Sequence, residues 1–166
     1  APQVTEATSA FTIDATEVPD LPPKLAVTPS TLTAVEGVTR GDTPSISVVL
    51  EEVNGEQTAE DVSLTPGALT HAKNNFVINA ENISLDNSGV AVTNTATVQT
   101  TITIPEGAAE GTYSGEIEVT SSNANTTTAG VNIEVTVTPT EFANNQGIVT
   151  TSGLRTAVDE WRQGLI

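Results

Sequence analysis

The chain has 166 residues, enough for one domain with tails, and carries 21 acidic against 5 basic residues, a formal net charge of −16. That balance argues against nucleic acid and against anionic membrane surfaces, both of which are recognised through clustered Lys and Arg. There is no Cys, so a disulfide framework and a thiolate metal site are excluded, and aromatic residues make up only 3% of the chain, which leaves Val, Ile, Leu and Ala to build the core.

Lys24 and Lys73 are the only lysines. An acid-rich, lysine-poor chain suits strong brine, where salt screens the self-repulsion, and points to a halophilic archaeon; an acidic bacterial surface protein is the alternative. The sequence begins Ala-Pro-Gln rather than with Met, as after removal of a signal peptide. It holds no apolar run long enough to span a membrane. Two sequons, Asn82-Ile83-Ser84 and Asn125-Thr126-Thr127, make Asn82 and Asn125 candidate glycosylation sites and favour an extracellular address.

Residues 1–22 are polar, with prolines at 2, 19 and 22, and read as an arm or linker. Within them Phe11, Ile13 and Ala15 alternate with Thr12, Asp14 and Thr16, followed by Val18. That period of two is a strand. It reads either as the first strand of the domain or as a donor strand (Phe11, Ile13, Ala15, Val18) that leaves its own domain and pairs with a neighbouring subunit.

The domain proper is expected over residues 23–139. Leu25-Ala-Val27-Thr-Pro29 opens it, Leu32, Ala34 and Val35 continue, and Arg40-Gly41-Asp42 is expected to be a turn, although it spells the tripeptide that integrins read. Ile46, Val48 and Leu50 alternate in the next strand, which runs into the turn signal Asn54-Gly55. Short strands are expected at Val62–Leu64, Phe76–Ile78 and Ile83–Leu85, and a longer one at Val98–Ile104. The clearest stretch follows, Gly111–Pro139. Tyr113, Gly115, Ile117 and Val119 alternate with polar residues, a polar run spans Ser121–Thr128, and Ala129, Val131, Ile133, Val135 and Val137 alternate again. Two such runs make an antiparallel hairpin with one wet face. The whole reads as an all-β, Ig-like antiparallel sandwich. The free edge of its last strand, at Val131, Ile133, Val135 and Val137, is the expected acceptor for a donor strand.

After a linker the period changes. Leu154, Val158, Trp161 and Leu165 recur at helical spacing, with polar residues opposite. This predicts a C-terminal amphipathic helix within residues 140–166, capped by Thr151 or Ser152, its apolar face packed on its own sandwich or on a partner.

Leu25-x-Val27-x-Pro29, Ile46–Leu50, Ile102-x-Ile104-Pro105 and Gly111-Thr112-Tyr113-Ser114-Gly115 together resemble the Ig-like modules of secreted bacterial and archaeal proteins, of the CARDB and NPCBM-associated type, over roughly residues 24–138. The resemblance implies adhesion, spacing or accessory service beside enzymes, and implies that Tyr113 is a tyrosine corner. Asn144-x-Gln146-Gly147-Ile148-x-Thr150 resembles half a dockerin. Aligned on its glycine, that loop puts Phe142 and Gly153 where the calcium loop needs carboxylates, so little calcium affinity is expected of it.

Catalytic chemistry is sparse. His71 is the single histidine and no nucleophile elbow accompanies it. The acid pairs Glu51-Glu52 and Glu60-Asp61 suit glycoside hydrolysis only if they face a cleft. These pairs and the cluster Asp14, Glu17 and Asp20 are expected at most to bind calcium weakly; no cofactor is expected. The sequence thus predicts a non-enzymatic extracellular subunit of a surface filament or layer, polymerising with copies of itself by donating its N-terminal strand. The alternative is an accessory or adhesion module of a secreted enzyme system with a docking tail.

Overall fold

The computed structural model describes residues 20–33, 37–55, 57–86, 89–138, 142–144 and 146–166. The candidate donor strand, Phe11, Ile13, Ala15 and Val18, lies outside the described residues.

Among the described residues, twelve strands and one α-helix follow in order: β1 (Leu25–Thr28), β2 (Thr31–Thr33), β3 (Val38–Thr39), β4 (Ser45–Glu52), β5 (Ala59–Pro66), β6 (Leu69–His71), β7 (Val77–Ile78), β8 (Ile83–Leu85), β9 (Val90–Val92), β10 (Thr95–Ile102), β11 (Gly111–Thr120), β12 (Thr127–Thr136) and α1 (Thr151–Gln163). They form two facing sheets, one ordered β1-β4-β10-β8 and the other β2-β12-β11-β5-β9. In the second sheet, β6 continues alongside β11 and pairs with β7. This is the Ig-like sandwich expected from the strand spacing.

The period of two places the core. From β11, Tyr113, Ile117 and Val119 turn inward, and from β12, Ala129, Val131, Ile133 and Val135 do. They meet Val48 and Leu50 of β4 and Val98 and Ile102 of β10 in a single apolar cluster. Tyr113, fully buried, donates its hydroxyl to the Ala109 carbonyl at 3.0 Å, tying the loop before β11 to the core. The residue expected to make a tyrosine corner does so.

The chain changes sheets once near its start. β1 runs antiparallel to β4, the Thr28–Pro29 peptide is cis, and β2 then lies parallel to β12, with Leu32 opposite Val131. β3 rejoins β12 further along, Val38 opposite Val135. The expected acceptor edge is therefore corrected. Val131, Ile133 and Val135 point into the core, and the outer edge of β12 is occupied by β2 and β3 of the same chain. Val137 lies just beyond the end of β12.

Candidate functional site

The two ends of the sandwich are built differently. At one end, β4 finishes in Glu52, whose buried carboxylate accepts from the backbone N–H groups of Lys24 and Asn54, each at 2.9 Å, and from that of Gly55. The Lys24 bond is the largest cause holding this carboxyl below its ordinary value of 4.5; burial opposes it, and the Asn54 and Gly55 bonds add to it. Close by, the Asn125 carboxamide grips β1 in both senses, accepting from Leu25 N at 2.8 Å and donating to Leu25 O at 3.3 Å. The sequon side chain in the hairpin loop thus serves as a latch on β1. Asn82 sits half-buried at the end of a 3-10 turn, Ala80–Asn82.

The opposite end carries the C-terminal helix, and Arg40 anchors it. Its side chain is only 6% exposed and meets Glu160, 19% exposed, at 2.6 Å. Arg40 Nε donates to Ala108 O at 2.7 Å, and its second terminal nitrogen donates to Leu165 O at 3.2 Å. Leu165 O also accepts from Glu110 N at 2.7 Å. Asp42 turns back on Thr39, accepting from its N–H at 2.7 Å and from its hydroxyl at 2.9 Å, and both bonds lower its pKa. Arg40-Gly41-Asp42 is therefore a structural turn whose cation is consumed inside the molecule.

His71 belongs to the same end. Its Nδ1 accepts from the N–H groups of Lys73 (3.0 Å) and Asn74 (3.2 Å), which leaves the proton on Nε2, donated to Glu110 O at 2.8 Å. The ring packs edge-on against Tyr113, centroids 5.0 Å apart. Both nitrogens are spent on backbone, so His71 fastens loops. Gly111 is needed beside it: its φ is +133°, and a Cβ there would collide with the imidazole.

The helix itself departs from expectation in three ways. Its N-cap is Thr150, whose hydroxyl accepts from Gly153 N at 3.1 Å, rather than Thr151 or Ser152. It ends at Gln163, because Gly164 takes the left-handed conformation, so Leu165 is not on the helical face and contributes its carbonyl instead. Most important, the helix does not dock by its apolar stripe. Its half-buried residues are Gly153, Ala157 and Glu160, spaced i, i+4, i+7. At Gly153 a Cβ would collide with the Phe142 carbonyl, so only glycine permits this approach. The stripe lies to one side of the docked face, with Leu154 58%, Val158 40% and Trp161 69% exposed. Trp161 stands at the lip of an open groove of about 460 Å³, lined also by Val137, Phe142, Val149, Ala157 and Ile166.

The loop before the helix closes on itself. Asn144 Oδ1 accepts from Gln146 N at 3.0 Å and Ile148 N at 3.1 Å, and Ala143 bridges to Val149. The oxygen that a calcium loop would offer to a cation is engaged in its own turn. Among the described residues, no group of three or more His, Cys, Asp or Glu side chains is placed to hold a metal. Glu51 and Glu52, adjacent on β4, point to opposite faces, one exposed and one buried, and Glu60 and Asp61 are both exposed. None of the described helices is long and apolar enough to cross a membrane.

No protein-family model and no curated protein matches the chain. Solved structures do. A family 123 glycoside hydrolase from Clostridium perfringens superposes with a TM-score of 0.55 at 19% identity over 64% of this chain, which spans only 22% of that enzyme. The ASH/PapD-like domain of human CEP192 superposes at 0.52 with 15% identity, covering 81% of this chain and 99% of the domain. Self-complemented MyfA, the major subunit of the Myf fimbriae of Yersinia enterocolitica, gives 0.46 at 10% identity, over 69% of this chain and 99% of that one. At these identities the likeness is one of fold: a β-sandwich of the Ig-like and PapD-like kind.

Proposed function

We propose that this chain is a structural subunit of an extracellular filament or layer, joined to its neighbour by strand addition. The donor is the alternating segment Phe11–Val18. Since β2 and β3 close the edge of β12, the acceptor is assigned to the other sheet, along β10.

The observation that carries this reading is the unequal length of β10 and β8. Strand β10 pairs with β4 over Thr95–Thr101, but β8 reaches only Thr100–Ile102. Glu52 N donates to Asn94 O and Ile102 N to Pro44 O, so the even-numbered residues of β10 turn their backbone groups toward β4. The odd-numbered ones face the other way, as Gln99 does in its exchange with Asp86. Thr95 and Thr97, both exposed, lie past the last residue that β8 covers. Among the described residues, no strand pairs with that side of them. An incoming strand finds a ladder there, and its alternate side chains can enter the core beside Val98. Three apolar side chains buried at roughly 1.5–3 kcal/mol each give a firm joint. A contact between unlike surfaces propagates rather than closes. The charge of −16 supports a salt-rich setting, and the Asn82 sequon an exterior one.

The test is sedimentation and electron microscopy in strong salt. The full chain is expected to form polymers, and deletion of residues 1–20 to abolish them. Thr97→Pro removes one outward N–H without touching the β4 ladder and is expected to do the same with the fold retained. Polymers of undiminished length in both variants would refute the reading.

A further inference from the structure

Independently of the strand joint, we infer a second contact: the open face of α1 docks on the outer face of the β12-β11-β5 sheet of another copy of this chain.

The donor surface is the stripe Leu154, Val158 and Trp161, which lies beside the docked face and stays exposed while Gly153, Ala157 and Glu160 hold the helix down. Anchored through Arg40, α1 cannot rotate that stripe onto its own sheet without breaking the Glu160 pair. Arg155 and Arg162 flank the stripe on its Val158 side, and with Val158 and Leu154 they line one continuous depression. These are two of the five basic residues in the chain. Arg162 approaches Asp159 at 3.7 Å, a pair so exposed that it leaves the arginine available. The helical tail, with two arginines against Asp159 and Glu160, is neutral, so the whole net charge of −16 rests on the remainder.

The acceptor is named by that remainder. On the wet side of the second sheet stand Glu116 and Glu118 of β11, Glu134 of β12 and Asp61 of β5, all exposed, and none of these three strands contains Lys or Arg. Glu134 lies opposite Thr112, four residues from Glu116 on the neighbouring strand. That spacing is about 14 Å from strand rise and strand separation. Arg155 and Arg162 are seven residues apart on the helix, about 10.5 Å along its axis. Arginine side chains span the difference. Beside Glu60 and Gly130, the rest of the face is Thr, Ser and Asn, whose methyl and methylene groups can lie under the stripe. A basic, apolar helix face and an acidic sheet face on the same molecule are complementary, and being different surfaces they link copies head to tail.

Trp161, the single tryptophan, reports on the contact. The measurement is its emission across a dilution series of the full chain, alongside sedimentation, both in the wild type and in Thr97→Pro, where the strand joint is disabled. The expected result is a blue shift that grows with concentration in both backgrounds. The double variant Leu154→Ser/Val158→Ser should self-associate at least tenfold more weakly. The triple variant Glu116→Gln/Glu118→Gln/Glu134→Gln should do likewise in low salt, and should differ less from wild type at molar salt. Mixed in the Thr97→Pro background, the two should form a one-to-one complex that does not grow, because each keeps one half of the contact. Circular dichroism is expected to be unchanged in both. An emission that stays at the fully exposed position at every concentration would overturn the proposal. So would a concentration-independent blue shift lost on removing residues 1–19, which would make the chain's own arm the occupant. Loss of long polymers in Thr97→Pro, leaving short concentration-dependent oligomers with the shift intact, would support both contacts separately.

Discussion

The β11–β12 hairpin and α1 both carry a clean amphipathic period, and the molecule uses the two in opposite ways. In the hairpin every apolar position from Tyr113 to Val135 enters the chain's own core. In α1 the apolar stripe is left open, and a small-residue face with one buried ion pair makes the attachment. Periodicity states which face of an element is suited to burial. It does not state which molecule buries it.

The largest loss is expected in the hairpin. Ile117→Ala, in the middle of β11, should cost about 2–5 kcal/mol of unfolding free energy, measured by denaturant titration. A cost under 1 kcal/mol would mean the two regions are not distinct. The tether comes next. Glu160→Gln removes the carboxylate that pairs with the largely buried Arg40, a loss of about 1.5–3 kcal/mol. Here the expected signature is local: hydrogen exchange should rise across α1 and residues 164–166 while the β4, β10 and β11 amides keep their protection.

Acid should act at the far end of the sandwich. Glu52 is held below its ordinary 4.5 in the folded state. Its contribution is therefore full above about pH 4.5 and is lost as pH falls through the depressed value. Melting temperature against pH should show a wild-type advantage over Glu52→Gln at pH 6 that shrinks below 4.5; an advantage independent of pH would contradict the assignment. The smallest effect belongs to the open stripe. Val158→Ser in dilute protein should change stability by no more than about 0.5 kcal/mol, since it removes a contact only when copies meet.

Much of this was legible in the sequence. Alternation alone marks β4, β10, β11 and β12 and their inward residues, and Gly111-Thr112-Tyr113 marks the corner. What was not legible is what a period cannot encode, namely which strand lies beside which. Leu32 reads as an apolar strand residue, but nothing local says that β2 crosses to the other sheet and closes the edge of β12. The Arg40–Glu160 pair joins residues 120 apart, and no spacing rule connects them. The docked face of α1 had a readable signal in Gly153 and Ala157, small residues in phase with Glu160. The larger residues beside them supplied the stronger apolar pattern, and it pointed the other way.

Joining of copies by a strand laid along β10 can be probed by cross-linking, because the chain contains no cysteine of its own. Chains bearing Thr97→Cys are mixed with chains bearing a single cysteine at position 12, 14 or 16, oxidised, and separated by mass. A disulfide between different chains is expected for one of the three donor positions, and none when Asn132→Cys on β12 replaces Thr97→Cys. Cross-linking to Asn132→Cys, or none to Thr97→Cys from any donor position, would contradict it.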